Sequence, residues 1–177
     1  MTIFHAALLF VAVQRVVELL LAQSNTARLL RSGAFEVDRG GYKFIVVLHA
    51  AWLAALYVAV PAATLPHWPL LALFGALQVA RIWVIASLGQ RWTTRIIVLP
   101  DAPLVRRGAY RWLRHPNYLI VATEIAILPL AFSAIAIAIG FSACNGLLLV
   151  RRIRIEERAL GMRSHHIQET QPRCNSL

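Results

Sequence analysis

The chain has 177 residues, of which 59% are hydrophobic and only 15% charged, and its mean hydropathy is +0.63. A soluble domain carries about 25% charged residues, so this chain has too few to coat its own surface, and its wealth of apolar residues excludes disorder. The balance of 18 basic to 8 acidic residues, net +10, would suit nucleic acid in a soluble protein. Here the basic residues interrupt long apolar stretches, so they read as loop charges beside an anionic membrane surface, with the lipid bilayer as partner and no nucleic acid. Two cysteines make neither a disulfide framework nor a metal site. The composition is that of a single integral-membrane domain covering residues 1–177.

Apolar runs near the length needed to cross a bilayer, about 20 residues, occupy 3–22, 44–62 and 68–88. The first has no basic residue before it, and Arg15 and Glu18 fall inside it, so it reads as a retained span and not a cleaved signal. A fourth apolar region, 118–150, would make a helix of roughly 50 Å, too long for one crossing of a ~30 Å core. Pro129 lies near its middle, which predicts a tight helical hairpin with arms at about 116–128 and 134–150. The second arm continues into the charged segment after Val150. The predicted fold is all-α and polytopic, with five transmembrane helices, a cytoplasmic loop at 89–115 and a cytoplasmic tail at 151–177.

Orientation follows from the arginines and lysines. Residues 23–43 hold Arg28, Arg31, Arg39 and Lys43, and residues 89–117 hold Arg91, Arg95, Arg106, Arg107, Arg111 and Arg114. The tail holds Arg151, Arg152, Arg154, Arg158, Arg163 and Arg173. The turns at 63–67 and around Pro129 hold none. Five crossings put all three basic segments on one side, with the N-terminus outside and the C-terminus cytoplasmic.

Arg15, Arg81, Glu18, His49 and Glu124 lie inside predicted spans, where each charge costs about 2.5–3.5 kcal/mol on insertion scales. Arg15 and Glu18, three apart, are neighbours on one helix face. They either pair structurally or line a substrate cavity; Arg81 and Glu124 could pair between helices and are candidates for the same cavity. His49 reads as a hydrogen-bonded packing residue.

The loop at 89–115 is longer than a plain connector of ~12–15 residues and mixes arginines with Trp92, Tyr110 and Trp112, so it is expected to pack under the helices. It runs into Leu113-Arg114-His115-Pro116-Asn117-Tyr118. Pro116 suits the first helical position, and the free N–H groups of that helix start would face the cytoplasm as a site for a carboxylate or phosphate. The bland alternative is an interfacial helix cap. Arg152 and Glu156, four apart in Arg152-Ile153-Arg154-Ile155-Glu156-Glu157-Arg158, share a helix face, and the hairpin can return them beside Arg114–Tyr118.

The run Gly108-Ala109-Tyr110-Arg111-Trp112-Leu113-Arg114-His115-Pro116-Asn117-Tyr118, the hairpin, and the Arg152–Leu160 ending together resemble the isoprenylcysteine carboxyl methyltransferase family, most closely its short bacterial branch. Gln14-Arg15, Gly33-Ala34-Phe35-Glu36-Val37 and Arg91-Trp92-Thr93-Thr94-Arg95-Ile96 look like that branch too. Two features depart from the family: Leu119-Ile120 follow Tyr118 where many members have x-Gly, and the tail from Met162 lacks an aromatic ending.

The resemblance implies a methyltransferase of the bacterial inner membrane, with its site facing the cytoplasm. S-adenosyl-L-methionine would be the donor, and an oxygen of a lipophilic small molecule or prenylated substrate the acceptor. Arg114, His115, Pro116, Asn117 and Tyr118 would bind the cofactor, and Glu156 or Glu157 would help to hold it. Arg152 would be the basic group near the acceptor, with Glu156 grouped beside it as catalytic and Glu157 with the cofactor. Relatives in the short branch methylate long-chain alkylpyrones, so an acidic ring hydroxyl stands beside a prenylcysteine carboxylate as acceptor. Two other readings are an NADPH-dependent reductase of lipid double bonds, disfavoured by the missing glycine at position 120, and a non-enzymatic carrier or scaffold using Glu18 and Glu124.

Overall fold

A computed structural model of the protein describes residues 2–100, 102 and 105–170, with side chains described through Ala159. Arg173, the side chain of Arg163 and the end of the tail, all counted above, lie outside the described residues. Five helices form the body: α1 (Ile3–Arg31), α2 (Tyr42–Ala59), α3 (Trp68–Leu88), α4 (Pro116–Ala131) and α5 (Ile135–Thr170). The all-α expectation needs one amendment, a two-stranded antiparallel ribbon of β1 (Phe35–Glu36) and β2 (Ile97–Val98), with Phe35 opposite Val98 and Glu36 opposite Ile97.

Helix α1 corrects the predicted end at residue 22. Nothing in Gln23-Ser24-Asn25-Thr26 breaks a helix, and its 29 residues span about 43 Å, more than a bilayer core needs. The extra turns are anchored: buried Asn25 donates from Nδ2 to the Trp92 carbonyl at 2.9 Å. The helix stops where Gly33 takes a φ of +87°, and the Ala34 N–H returns to the Leu29 carbonyl at 3.1 Å. Helix α2 ends at Ala59, before the predicted 62, because Pro61 forces Val60 into extended backbone. Helix α3 matches its predicted limits and ends at Gly89, with φ +54°.

The hairpin turn is not at Pro129. That proline is buried in the last turn of α4, which runs three residues past the predicted 128, and the chain reverses at 132–134 with Ser133 at φ +61°. Proline supplies helical φ there, and its missing N–H forfeits the helical hydrogen bond to the Ile125 carbonyl. The His67 N–H donates to the Ala131 carbonyl at 2.8 Å, and the His67 ring shares a 3.0 Å hydrogen bond with the Ser133 hydroxyl. The two turns without basic residues therefore meet at one end of the molecule. The ribbon, the long loop and the charged part of α5 gather at the other.

The core is a cluster of Phe4, Val11, Trp52, Leu56, Phe74, Val121, Ile125, Leu128 and Phe132, with Phe4 and Phe132 edge to face at 5.0 Å. Short α4 contributes most to it. Outward faces are apolar as well: Val13, Val17 and Leu20 on α1, Val79 and Ile82 on α3, and Leu147 on α5 are exposed. Such a surface suits a lipid solvent. Among the described residues four helices are long and apolar enough to cross a membrane, within Ile3–Arg31, Tyr42–Ala59, Trp68–Arg91 and Ile135–Ala159. Pro116–Ala131 is a shorter apolar helix.

The loop returns under α3 through Gly108, whose φ is +57° and whose missing side chain leaves room for that of Ser87. Arg107 fixes the same place, donating from Nε to the Ser87 carbonyl at 2.7 Å. Gly108→Ala combines left-handed strain with a clash and is expected to cost roughly 1–3 kcal/mol, read as a lowered thermal unfolding midpoint in detergent.

Candidate active site

His115 caps α4 with non-helical backbone, and Pro116 takes the first helical position, as the sequence predicts. One turn on, Tyr118 faces α5. Arg152 and Glu156 share a helix face, and each engages the Tyr118 hydroxyl. Arg152 Nε donates to that oxygen at 2.8 Å, and the hydroxyl donates to Glu156 Oε2 at 2.5 Å. Arg152 is buried, only 7% exposed, with its guanidinium carbon 5.8 Å from the Tyr118 ring centre. Its Nη2 donates to the Thr94 carbonyl at 2.6 Å, leaving Nη1 outside these two contacts.

The imidazole of His115 stacks on the Tyr118 ring, with centroids 5.4 Å apart and planes 14° from parallel. Its nitrogens lie 3.9 Å from Glu156 Oε2 and 3.6 Å from Glu157 Oε1. A basic group and two carboxylates thus meet around one aromatic pair, at a helix N-terminus that favours negative charge. Asn117 Oδ1 is buried there without a hydrogen-bond partner. Arg114 is exposed beside the cluster and is not drawn into it.

Sequence reasoning missed two contributors. Tyr110 lies near Glu156, and burial, with the Glu156 charge adding to it, pushes its hydroxyl above the ordinary phenol range, so it stays protonated. Thr94 acts through its backbone carbonyl, which no side-chain pattern reveals.

The four charged residues inside the predicted spans come together as one closed network. Arg15 reaches Glu18 at 3.0 Å and Glu124 at 2.5 Å. Arg81 reaches Glu124 at 3.0 Å, and it pairs with Glu18 through Nη2 at 2.6 Å and through Nε. Gln14 donates to Glu18 at 3.1 Å and Gln78 to Glu124 at 3.0 Å. The formal charges cancel, each carboxylate engages both arginines, and Arg15 Nε and the side-chain oxygens of Gln14 and Gln78 are left buried without a partner. His49, by contrast, turns back on its own helix, with Nδ1 2.8 Å from the Ile45 carbonyl.

Comparison with known proteins shows the family of the chain. The family model for the isoprenylcysteine carboxyl methyltransferase (ICMT) family matches residues 68–162, a stretch that contains Thr94, His115, Tyr118, Arg152, Glu156 and Glu157. The uncharacterized protein YpbQ of Bacillus subtilis is 34% identical over 161 residues, which cover 89% of this chain and 96% of YpbQ. An uncharacterized protein of Haemophilus influenzae is 33% identical over 79 residues, 44% of this chain and 46% of that one. No solved structure gives a significant match. With a family match over more than half the chain and a relative aligned nearly end to end, the protein belongs to the isoprenylcysteine carboxyl methyltransferase family.

Proposed function

We propose that the protein is a membrane-embedded O-methyltransferase that uses S-adenosylmethionine to methylate a carboxylate or acidic hydroxyl on a lipophilic substrate. The observation that carries this reading is the buried Arg152, fixed at Nε and Nη2 and backed by Tyr118, Glu156 and His115 at the start of α4. The cofactor, when bound, supplies a methyl group activated on a sulfonium. The residues present suit such a zwitterionic group. Asn117 Oδ1 is an orphaned buried acceptor, Glu157 is a half-exposed carboxylate, and the positive end of the α4 dipole suits a carboxylate of the ligand.

Within this reading Arg152 orients the acceptor oxygen through its remaining nitrogen. Its two fixed contacts keep the guanidinium from following the substrate, so the chain supplies alignment, the main need of an in-line displacement. Tyr118 passes the position of Arg152 to Glu156. Removal of the reacting charges from water favours their neutralisation. A prenylcysteine carboxylate and an alkylpyrone-type hydroxyl are both acidic oxygens on apolar tails, and both suit this arrangement. The proposed topology has five crossings, α4 among them, with the N-terminus outside and the cluster facing the cytoplasm of a bacterial inner membrane. In support, the turns without basic residues lie at the end opposite the arginine-rich segments.

The deciding experiment is calorimetry on the detergent-solubilised protein with S-adenosylhomocysteine and, separately, NADPH. Micromolar binding of the first alone is expected; binding of NADPH alone would move the protein to the reductases. His115→Ala removes the ring stacked on Tyr118 and facing both glutamates. It is expected to weaken S-adenosylhomocysteine about tenfold, the scale of one hydrogen bond to a charged group, and unchanged affinity would remove His115 from the cofactor site.

A further inference from the structure

We infer that Glu36 and Arg95 are positioning residues that set Arg152 in place through the Thr94 carbonyl, an inference that rests on the methyltransferase reading of Arg152. The α1–α2 connection and the first part of the long loop form a roof over the cluster. They are joined by the β1–β2 ribbon, and the Val37 N–H donates to the Ile96 carbonyl at 3.0 Å. Glu36, its side chain nearly buried, holds Arg95 with an ion pair of 2.9 Å. The Arg95 guanidinium also lies 4.9 Å over the Tyr42 ring. Thr93 closes the loop locally, donating from Oγ to the Arg95 carbonyl at 2.7 Å. Thr94 thus sits between two anchored residues, and its carbonyl is aimed at Arg152 Nη2.

The neighbouring arginine reinforces the same roof. Arg151 donates to both oxygens of Asp38, at 3.0 and 3.2 Å, and Asp38 Oδ1 also accepts from the Gly41 N–H at 3.1 Å. Adjacent residues of α5 therefore grip the two halves of the roof, Arg151 the α1–α2 connection and Arg152 the loop. The Arg151–Asp38 pair is exposed on the arginine side, where solvent screens it. The Glu36–Arg95 pair has one partner nearly buried and lies directly in line with Thr94, so it is the one that sets the geometry of Arg152.

The test uses the full chain in detergent with labelled S-adenosylmethionine and two acceptor probes, N-acetyl-S-farnesylcysteine and a long-chain 4-hydroxy-2-pyrone. Glu36→Gln and Arg95→Met are each expected to lower kcat about tenfold, with the KM for S-adenosylmethionine within about twofold, because misplacement of an orienting group acts on the reacting geometry. In an Arg152→Lys background the same changes should cost less than about twofold, since there is no fork left to position. Amide hydrogen exchange supplies a readout free of the acceptor. Glu36→Gln should speed exchange at 93–98 and also at 119–122, the N–H groups following Tyr118. Exchange that rises at 93–98 alone, or losses that multiply fully in the Arg152→Lys background, would overturn the inference and leave the pair a local staple. Absence of S-adenosylhomocysteine binding in the unmodified protein would instead overturn the methyltransferase reading, while the exchange pattern would still decide whether the pair fixes the cluster.

Discussion

Arg152→Ala is expected to lower methyl transfer by about 100- to 1000-fold, the scale of losing one preorganised charge at a reacting oxygen, while leaving S-adenosylhomocysteine affinity within about threefold. The two effects separate because Tyr118, the proposed cofactor residue that Arg152 touches, stays held by Glu156, and Arg152 is otherwise tied to the Thr94 carbonyl. The fold should survive the change. Tyr118 keeps its hydrogen bond to Glu156, whose side chain is 30% exposed and stays solvated without the arginine. Arg152→Lys should recover only part of the rate, since an ammonium cannot meet two fixed partners and a third group in one plane. Turnover of the probe acceptors at the unmodified rate in Arg152→Ala would remove Arg152 from the chemistry and shift attention to Glu156.

Much of the fold was legible because apolar run length is a local property: the limits of α3 and the start of α4 follow from composition, Pro116 and the glycine after Leu88. The misread boundaries have physical reasons. The apolar run of α1 ends at Ala22, but helix continues wherever nothing stops it, and the partner of Asn25 is a backbone carbonyl of a distant loop. Pro129 reads as a turn residue in the sequence, yet its fixed φ is also helical and it stands inside the last turn of α4. The ribbon is two residues per strand, too short for any alternation to register. At the site, the shared helix face of Arg152 and Glu156 and their return beside Arg114–Tyr118 are readable from the sequence, but their joint hold on one hydroxyl is not. Both engage Tyr118, and the fixing of Arg152 depends on a carbonyl at Thr94. Arg15 and Glu18 pair as their spacing predicts, whereas the closure of that pair by Arg81 and Glu124 depends on how three helices pack.

That closure supports a second large effect. Glu124 is wholly buried and accepts from Arg15, Arg81 and Gln78. Glu124→Ala would leave two guanidiniums facing one carboxylate inside an apolar bundle, and removing one partner of a buried ion pair costs about 3–5 kcal/mol. Against a typical stability of about 5–15 kcal/mol, such a loss should show as a sharply lowered unfolding midpoint in detergent, followed by tryptophan fluorescence. The network is neutral only as a whole, so the double variant Glu124→Ala with Arg81→Met should recover much of the loss. Replacing all four residues with apolar side chains of similar volume should come near the original stability, because the desolvation of buried charges then disappears along with their attraction. The same set separates the two roles the network could have. A staple joining α1, α3 and α4 tolerates the fourfold apolar replacement with turnover retained. A polar wall of the acceptor cavity would lose turnover in that variant even as the unfolding midpoint and S-adenosylhomocysteine binding hold. The closed pairing, in which each carboxylate engages both arginines, favours the staple.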